Sequence, residues 1–264
     1  MSHLTAASLG AIAGFTIFIG LPVARLRGLP RPLQGFLNAL ATGVLVFLLW
    51  DILAHAGGPV ETALKGRSGS FPLLAGLFAA GLGAGLLSLI YFNGALLRRV
   101  RGPESAGGAA AAPTPQALGL MIATGLGLHN FSEGLAIGQS AATGAIAFVG
   151  VLVVGFALHN ITEGFGIAAP MTLAPKPVSW GFLALTGLVG GAPTFLGSAI
   201  GYLFRSELVY VLFLALAAGA LVYVLNELFV LGRRLTTPRV MGWGVLIGLL
   251  AAYSTDLLLT YLGG

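Results

Sequence analysis

Two short segments of this chain carry pairs of side chains that bind metal ions in proteins. Residues 129–134 read HNFSEG, and thirty residues later residues 159–164 read HNITEG. In each segment a His and a Glu stand at positions i and i+4, so on a helix both side chains project from the same face. Imidazole nitrogens and carboxylate oxygens are accepted ligands of zinc, which usually takes four. The two segments therefore predict one metal site made by His129, Glu133, His159 and Glu163.

Two further residue types are duplicated in these segments. Asn130 and Asn160 each follow the His, about 100° around the helix. Their amide oxygens are predicted to coordinate the ion or to orient one of its ligands. Gly134 and Gly164 follow the carboxylates and would allow close helix approach or local unwinding. These ligand types alone do not determine whether the site binds Zn²⁺, Fe²⁺, Mn²⁺ or Cd²⁺.

The composition predicts that these segments lie inside a membrane. The chain has 264 residues, of which 57% are hydrophobic and only 8% charged, whereas a soluble domain is about 25% charged. We therefore expect a single multi-pass domain over residues 1–264 in the cell membrane, inner or plasma, with the lipid bilayer as its surroundings. The net charge of +5 does not indicate a nucleic-acid partner, because the basic residues fall in short loops. We expect no cleavable signal peptide, since the start lacks a basic segment.

The hydrophobic runs predict the elements that must position the motifs. A helix needs about 20 apolar residues to cross the bilayer core, and such runs lie at about 5–24, 35–55, 71–97, 116–139, 143–168, 178–203, 208–231 and 240–262. The predicted fold is an all-α, eight-helix transmembrane bundle. Breaks are expected at 28–32, 57–59 and 174–177, and a disordered cytoplasmic loop at about 98–115. The short turn at 140–142 makes the two motif helices antiparallel neighbours.

The distribution of Lys and Arg predicts the orientation of the bundle. Ten of these residues fall in the loops after helices 1, 3, 5 and 7, and three fall in the loops on the other side. Cytoplasmic loops carry the excess of positive charge. Both termini are therefore expected outside the cell.

Three other groups of polar residues lie in the predicted spans. Asp51 and His55 form another i, i+4 pair near the outer end of helix 2, predicted as an entrance or peripheral metal site, with a hydrated helix end as the alternative. Asn226 and Glu227 on helix 7 could serve an exit path or a proton relay, or form a hydrogen bond between helices. Asp256 could pair across the bundle or cap a local polar contact. Ionisable groups at such depth are costly and usually functional.

The two motifs resemble the HNxPEG signatures on the fourth and fifth helices of the ZIP (Zrt/Irt-like) metal transporters of prokaryotic type. Residues 217–227 are similar to the seventh helix of that family, and residues 41–44 to the second. The resemblance implies eight helices with outside termini and uptake of zinc or a related divalent ion into the cytoplasm. It also implies a central site on helices 4 and 5, a homodimer, and an elevator-like or rocking movement of one helix group against another.

The chain departs from that family pattern at three places. The proline of each motif is replaced, by Ser132 and by Thr162. Many bacterial members carry a Glu before a Pro on helix 6, whereas residues 190–194 read GGAPT here. We therefore expect one bound ion rather than two. The loop at 98–115 contains no His, so metal capture there is not expected.

Two other functions compete with metal transport. An intramembrane zinc-dependent hydrolase would use the same residue types to activate water. It would need an open metal position and a separate base, and the HExxH pattern is absent from the sequence. A proton-coupled transporter of organic solutes would explain the buried acids but not the paired His-Asn. Apart from transport, the motifs could simply join two helices through hydrogen bonds. We predict a transporter and not an enzyme, with Zn²⁺ as its substrate.

Overall fold

The chain folds into a bundle of long helices, as its composition predicts. The computed structural model describes residues 1–26, 29–101, 114–203 and 206–263, and no β-strand occurs within these ranges. Eight long helices lie there: α1 (His3–Phe15), α2 (Arg31–Lys65), α3 (Phe71–Arg101), α4 (Pro115–Ala142), α5 (Ile146–Met171), α6 (Trp180–Leu203), α7 (Glu207–Leu235) and α8 (Pro238–Gly263). The first motif lies on α4 and the second on α5.

In the described part of the chain, seven helical segments are long and apolar enough to cross a membrane. They are α2, α5, α6 and α7, most of α3 and of α8, and the stretch His3–Arg25 that begins with α1. The remaining long helix, α4, carries the first motif, and its polar side chains lower its hydropathy. Most of its motif side chains are buried inside the protein. The chain is therefore a multi-pass membrane protein, and the other helices shield most of the motif side chains of α4.

The first span is broken, whereas the sequence predicts one helix over 5–24. Helix α1 ends at Phe15, and a short helical turn (Ile17–Gly20) and a 3₁₀ turn (Leu21–Arg25) follow. At the break, the Thr16 hydroxyl donates hydrogen bonds to the carbonyls of Ala13, at 2.7 Å, and of Ala157 on α5, at 2.8 Å. Side-chain donors that take a helix carbonyl interrupt the regular bonding of the helix. The break therefore lies where this segment meets α5.

Helix α2 continues through residues 57–59, where the sequence predicts a break, and ends at Lys65. Pro59 lies inside it. A proline removes one N–H from the helix and disturbs the preceding turn. Gly57 and Gly58 have open space around the position of an added Cβ, so no neighbour packs closely against these two positions.

The connections next to the motif helices also differ from the prediction. The turn between α4 and α5 lies at residues 143–145, not at 140–142, and its Gly144 has a φ of +81°. Glycine adopts this left-handed conformation without a steric penalty. Of the predicted loop at 98–115, residues 98–101 belong to α3, and residues 102–113 lie outside the described residues. Thr114 caps α4, since its hydroxyl accepts a hydrogen bond from the N–H of Ala117 at 3.2 Å.

The helices pack as two groups. In the motif group, α6 packs closely against α4 and α1, and α5 packs against α4 and the stretch that begins with α1. In the second group, α7 packs against α3, and α2 packs against α7 and α8. Within each group, glycines bring backbones into direct contact: a Cβ added at Gly134 of α4 would clash with the Thr194 carbonyl of α6, and one at Gly85 of α3 with the Leu216 carbonyl of α7. Small residues allow this close packing in membranes.

Candidate metal centre

The two motifs meet inside the protein because α4 and α5 are antiparallel and carry them at the same level. His129 and Glu133 are one helical turn apart on α4, and both are buried, with 2% and 4% of their surfaces exposed. Glu163 on α5 is fully buried. The His159 side chain is 15% exposed. The i, i+4 spacing therefore turns both His-Glu pairs toward the contact between the two helices.

Three of the four predicted ligands lie within reach of a single ion. His129, Glu133 and His159 each offer one ligand atom, and these atoms lie within 4.8 Å of one another. His129 Nε2 is 3.0 Å from Glu133 Oε1, and His159 Nε2 contacts the same oxygen. The two imidazole rings are stacked, with centroids 6.1 Å apart. Glu133 is thus the carboxylate shared by both histidines.

Glu163 lies at the edge of this cluster. Its Oε1 atom is 3.6 Å from His129 Nε2, and its Oε2 atom accepts a hydrogen bond of 2.9 Å from Asn130 Nδ2. Among the described residues, Glu163 Oε1 and Glu133 Oε2 have no hydrogen-bond partner. Buried polar atoms are nearly always paired. This set of nitrogen and carboxylate atoms therefore fits a divalent cation.

The two motif asparagines have different partners. Asn130 Nδ2 donates to Glu163 and also to the Gly190 carbonyl of α6, at 3.0 Å. Asn160 Nδ2 donates to the Ala13 carbonyl of α1, at 3.0 Å, next to the break in the first span. Neither Oδ1 atom has a hydrogen-bond partner in the described part of the chain. Asn130 therefore belongs to the cluster, and Asn160 connects it to α1.

The glycines after the motif carboxylates allow close packing, and neither helix is unwound at them. Gly134 lies against the Thr194 carbonyl of α6, and Gly164 against the Ile17 carbonyl. Both motif helices are continuous through these positions. On α6, where the sequence lacks the expected carboxylate, the Gly190 carbonyl accepts the hydrogen bond from Asn130. Thr194 is buried there, and its hydroxyl has no partner among the described residues.

A cavity of about 750 Å³ leads from the cluster toward the end of α4 that precedes the turn to α5. Its walls include His129, Ser132 and Glu133, and farther along α4 Gln139 and Ser140. The motif pattern alone does not identify the last two residues, although Ser140 continues the face of α4 that carries His129 and Glu133, and Gln139 continues the face of Ser132. Extending the helical period of the motif would have identified them.

The other predicted residues divide between this cavity and more distant positions. Asp51, His55 and Asp256 line the cavity, and His55 Nδ1 is 3.2 Å from Asp51 Oδ1. A second cavity, of about 130 Å³, reaches His159 and is also lined by Asp51 and Asp256. Asn226 and Glu227 on α7 line neither cavity. The structure thus places the Asp51–His55 pair and Asp256 near the cluster, but not Asn226 and Glu227.

Comparison with known proteins agrees with this architecture. Residues 102–230 match the family model described as ZIP zinc transporter. The matched range contains both motifs and the Gly190–Thr194 stretch. Comparison with curated proteins gives no match. With the matched range, the paired motifs and the membrane-spanning helices considered together, this chain is similar to the ZIP zinc transporters over residues 102–230, just under half of its length.

Proposed function

We propose that the protein carries a divalent cation, Zn²⁺ before Fe²⁺, Mn²⁺ or Cd²⁺, from the outer face of the membrane to the cytoplasm, and that His129, Glu133, His159 and Glu163 bind the ion on its way. Members of the ZIP family are transporters rather than enzymes. The single observation that carries the proposal is the buried set of ligand atoms within 4.8 Å at the inner end of a 750 Å³ cavity.

The charge of the cluster supports a divalent ion. Two carboxylates in a membrane interior are costly when they are ionised without a partner. A bound Zn²⁺ would balance both charges and replace the direct contacts between the histidines and Glu133. Zinc accepts two imidazole nitrogens and carboxylate oxygens at about 2.0–2.2 Å. With α6 contributing no carboxylate, the set suits one ion at a time.

The surrounding residues would orient the ligands. Asn130 holds one oxygen of Glu163, which directs the other oxygen toward His129. Such hydrogen bonds behind a ligand typically change metal affinity 10–100-fold. The Oδ1 atoms of Asn130 and Asn160 are further acceptors, and either could coordinate the ion as the sequence predicts. We assign Asn130 the closer role because it contacts the cluster directly.

The cavity supports entrance from the outer face. Gln139 and Ser140 lie at the end of α4 that the distribution of Lys and Arg assigns to the outside. On the opposite side of the cluster, buried apolar side chains of α4, α5 and α7, among them Ile122, Ile167 and Leu225, fill the bundle. An ion would therefore arrive through the cavity and leave after the two helix groups have moved relative to each other.

A second cation-binding site, nearer the outer face, would be formed on this path by Asp51, His55 and Asp256. They line the same cavity as His129 and Glu133, and carboxylates attract cations into a low-dielectric cleft. Asn226 and Glu227 keep their predicted role in an exit path or a proton relay. The homodimer, the outside termini and the inner or plasma membrane location also stay predictions.

The test is zinc uptake into proteoliposomes that contain a zinc-sensitive dye. The intact protein is compared with a double variant, His129→Ala with His159→Ala, and with His3→Ala. His3 is a matched control because its ring bonds the Ala199 carbonyl, away from the cluster. We expect saturable uptake by the intact protein and the control, and none by the double variant. Equal uptake by all three would contradict the proposed site.

A further inference from the structure

One hydroxyl group lies beside the proposed ligands in each motif. The Ser132 hydroxyl donates to the His129 carbonyl at 2.6 Å, and the Thr162 hydroxyl donates to the His159 carbonyl at 2.7 Å. Each bond spans three residues of its own helix. The two copies of the motif thus contain the same contact, although they differ in sequence at this position.

These bonds determine what each hydroxyl offers to its surroundings. A carbonyl oxygen only accepts hydrogen bonds, so the proton of each hydroxyl is directed at the backbone. The lone pairs of the hydroxyl oxygen are then available to other groups. A hydroxyl held in this way acts toward a passing ion as a neutral acceptor. A proline at the same position would present only carbon atoms.

Both hydroxyl residues line cavities that reach the cluster. Ser132 lies in the wall of the 750 Å³ cavity together with His129 and Glu133. Thr162 lies in the wall of the 130 Å³ cavity together with His159. Each cavity therefore reaches a motif histidine where a hydroxyl stands one turn away on the same helix.

We propose that Ser132 and Thr162 are specificity-determining residues of the transport path. Their oxygens accept hydrogen bonds from the waters of an arriving cation, or bind the cation itself, while it exchanges water for the His and Glu ligands. Oxygen ligands suit Mn²⁺, whereas softer ligands suit softer ions such as Cd²⁺. The two hydroxyls thus favour Mn²⁺ over Cd²⁺ relative to a chain with apolar residues there. This inference rests on the proposed transport function.

A purely structural role makes a different prediction. Hydroxyls that bond the carbonyl of the preceding turn also adjust the bend of a helix. Thr186 on α6 provides the matched control, because its buried hydroxyl donates to the Leu183 carbonyl at 3.0 Å and lines neither cavity. Thr186→Val removes the same kind of bond without changing the path.

The experiment measures Mn²⁺, Zn²⁺ and Cd²⁺ uptake in parallel by proteoliposomes with the intact protein, Ser132→Ala, Thr162→Val, the double variant and Thr186→Val. For each hydroxyl removed, we expect the ratio of Mn²⁺ to Cd²⁺ transport efficiency to fall about fivefold, which corresponds to ~1 kcal/mol for one hydrogen bond. Because both ions are carried by the same preparation, a loss of folded protein lowers both rates and leaves their ratio unchanged. Thr186→Val should leave the ratio unchanged.

Two results would overturn the inference. One is a double variant that carries the ions with the same ratio as the intact protein. The other is a Thr186→Val variant that shifts the ratio as strongly as Ser132→Ala and Thr162→Val do. The change in ratio would then result from altered helix bending and not from the cavity hydroxyls. In both cases the proposed function would stand, since transport is still observed. If the intact protein transports no divalent cation, the proposed function fails and the inference with it.

Discussion

The two copies of the motif have nearly the same sequence but different surroundings. The copy on α4 is enclosed by α5, α6 and α7, and its asparagine bonds Glu163 inside the cluster. The copy on α5 borders α1 and α2, its histidine is partly exposed, and its asparagine bonds the Ala13 carbonyl. The spacing of four residues thus brings each His and Glu together, whereas the neighbouring helix decides what the asparagine does.

The largest difference between the copies is expected at the carboxylates. Glu133 contacts both histidines, whereas Glu163 approaches only His129, at 3.6 Å. Glu133→Gln should weaken zinc binding at least about 100-fold, and Glu163→Gln about tenfold, because a lost ligand matters at least as much as a lost supporting bond. Calorimetric titration of the purified protein measures both. A larger loss of zinc affinity in Glu163→Gln than in Glu133→Gln would contradict the assignment of Glu133 as the stronger ligand.

Variants of the two asparagines should distinguish a loss of metal binding from a loss of helix packing. Asn130→Ala removes the bond that orients Glu163, so zinc affinity should fall about 10–100-fold. Asn160→Ala removes a bond to α1, so it should lower the stability of the protein by about 1 kcal/mol and change zinc affinity less. Titration and thermal unfolding in detergent would be measured on both variants. If Asn160→Ala weakens binding as much as Asn130→Ala, then Asn160 is also a ligand.

Both copies should make zinc binding depend on pH in the same direction. The ion requires neutral imidazoles and ionised carboxylates, so protons compete with zinc for the cluster. Zinc affinity should therefore fall as the pH is lowered from neutral to mildly acidic. In Glu163→Gln the decline should be shallower, because one group that takes up a proton has been removed. A pH series of zinc titrations on both proteins tests this, and affinity that stays constant with pH would exclude binding at these groups.

The smallest effect on transport is expected at the glycines, which should act on stability. A Cβ at Gly134 would clash with the Thr194 carbonyl, and one at Gly164 with the Ile17 carbonyl. Gly134→Ala and Gly164→Ala should each destabilise the protein by about 1–3 kcal/mol, as overpacking does. Gly150 on α5 has open space around it, so Gly150→Ala is the control and should not destabilise the protein. The midpoint of thermal unfolding would be measured for all three variants. If Gly134→Ala and Gly164→Ala are as stable as Gly150→Ala, the motif glycines are not closely packed.

Much of this arrangement could be predicted from the sequence. Apolar runs long enough to cross a bilayer predict the helical bundle, and the spacing within each motif predicts which side chains share a face. The short connection between the motif helices predicts that they are antiparallel neighbours, so that His129 and His159 come to the same level. These features depend on local periodicity and chain length, which a sequence displays directly.

Other features depend on how the helices rotate against one another. Asn130 and Asn160 occupy equivalent positions, yet one faces α6 and the other faces α1. The break at Thr16 results from bonds to the Ala13 and Ala157 carbonyls, and hydropathy does not register such bonds. Pro59 lies within α2 although proline usually ends a helix. The partners of the two asparagines and the break at Thr16 depend on contacts between residues far apart in the chain.

The most direct test of the central claim is zinc X-ray absorption spectroscopy of the purified protein loaded with one equivalent of Zn²⁺. Binding by the two motifs predicts a mixed nitrogen and oxygen shell at about 2.0–2.2 Å, with the outer scattering of two imidazoles. A shell of oxygen atoms alone, without imidazole scattering, would show that the ion is bound elsewhere and would contradict the assignment of His129 and His159.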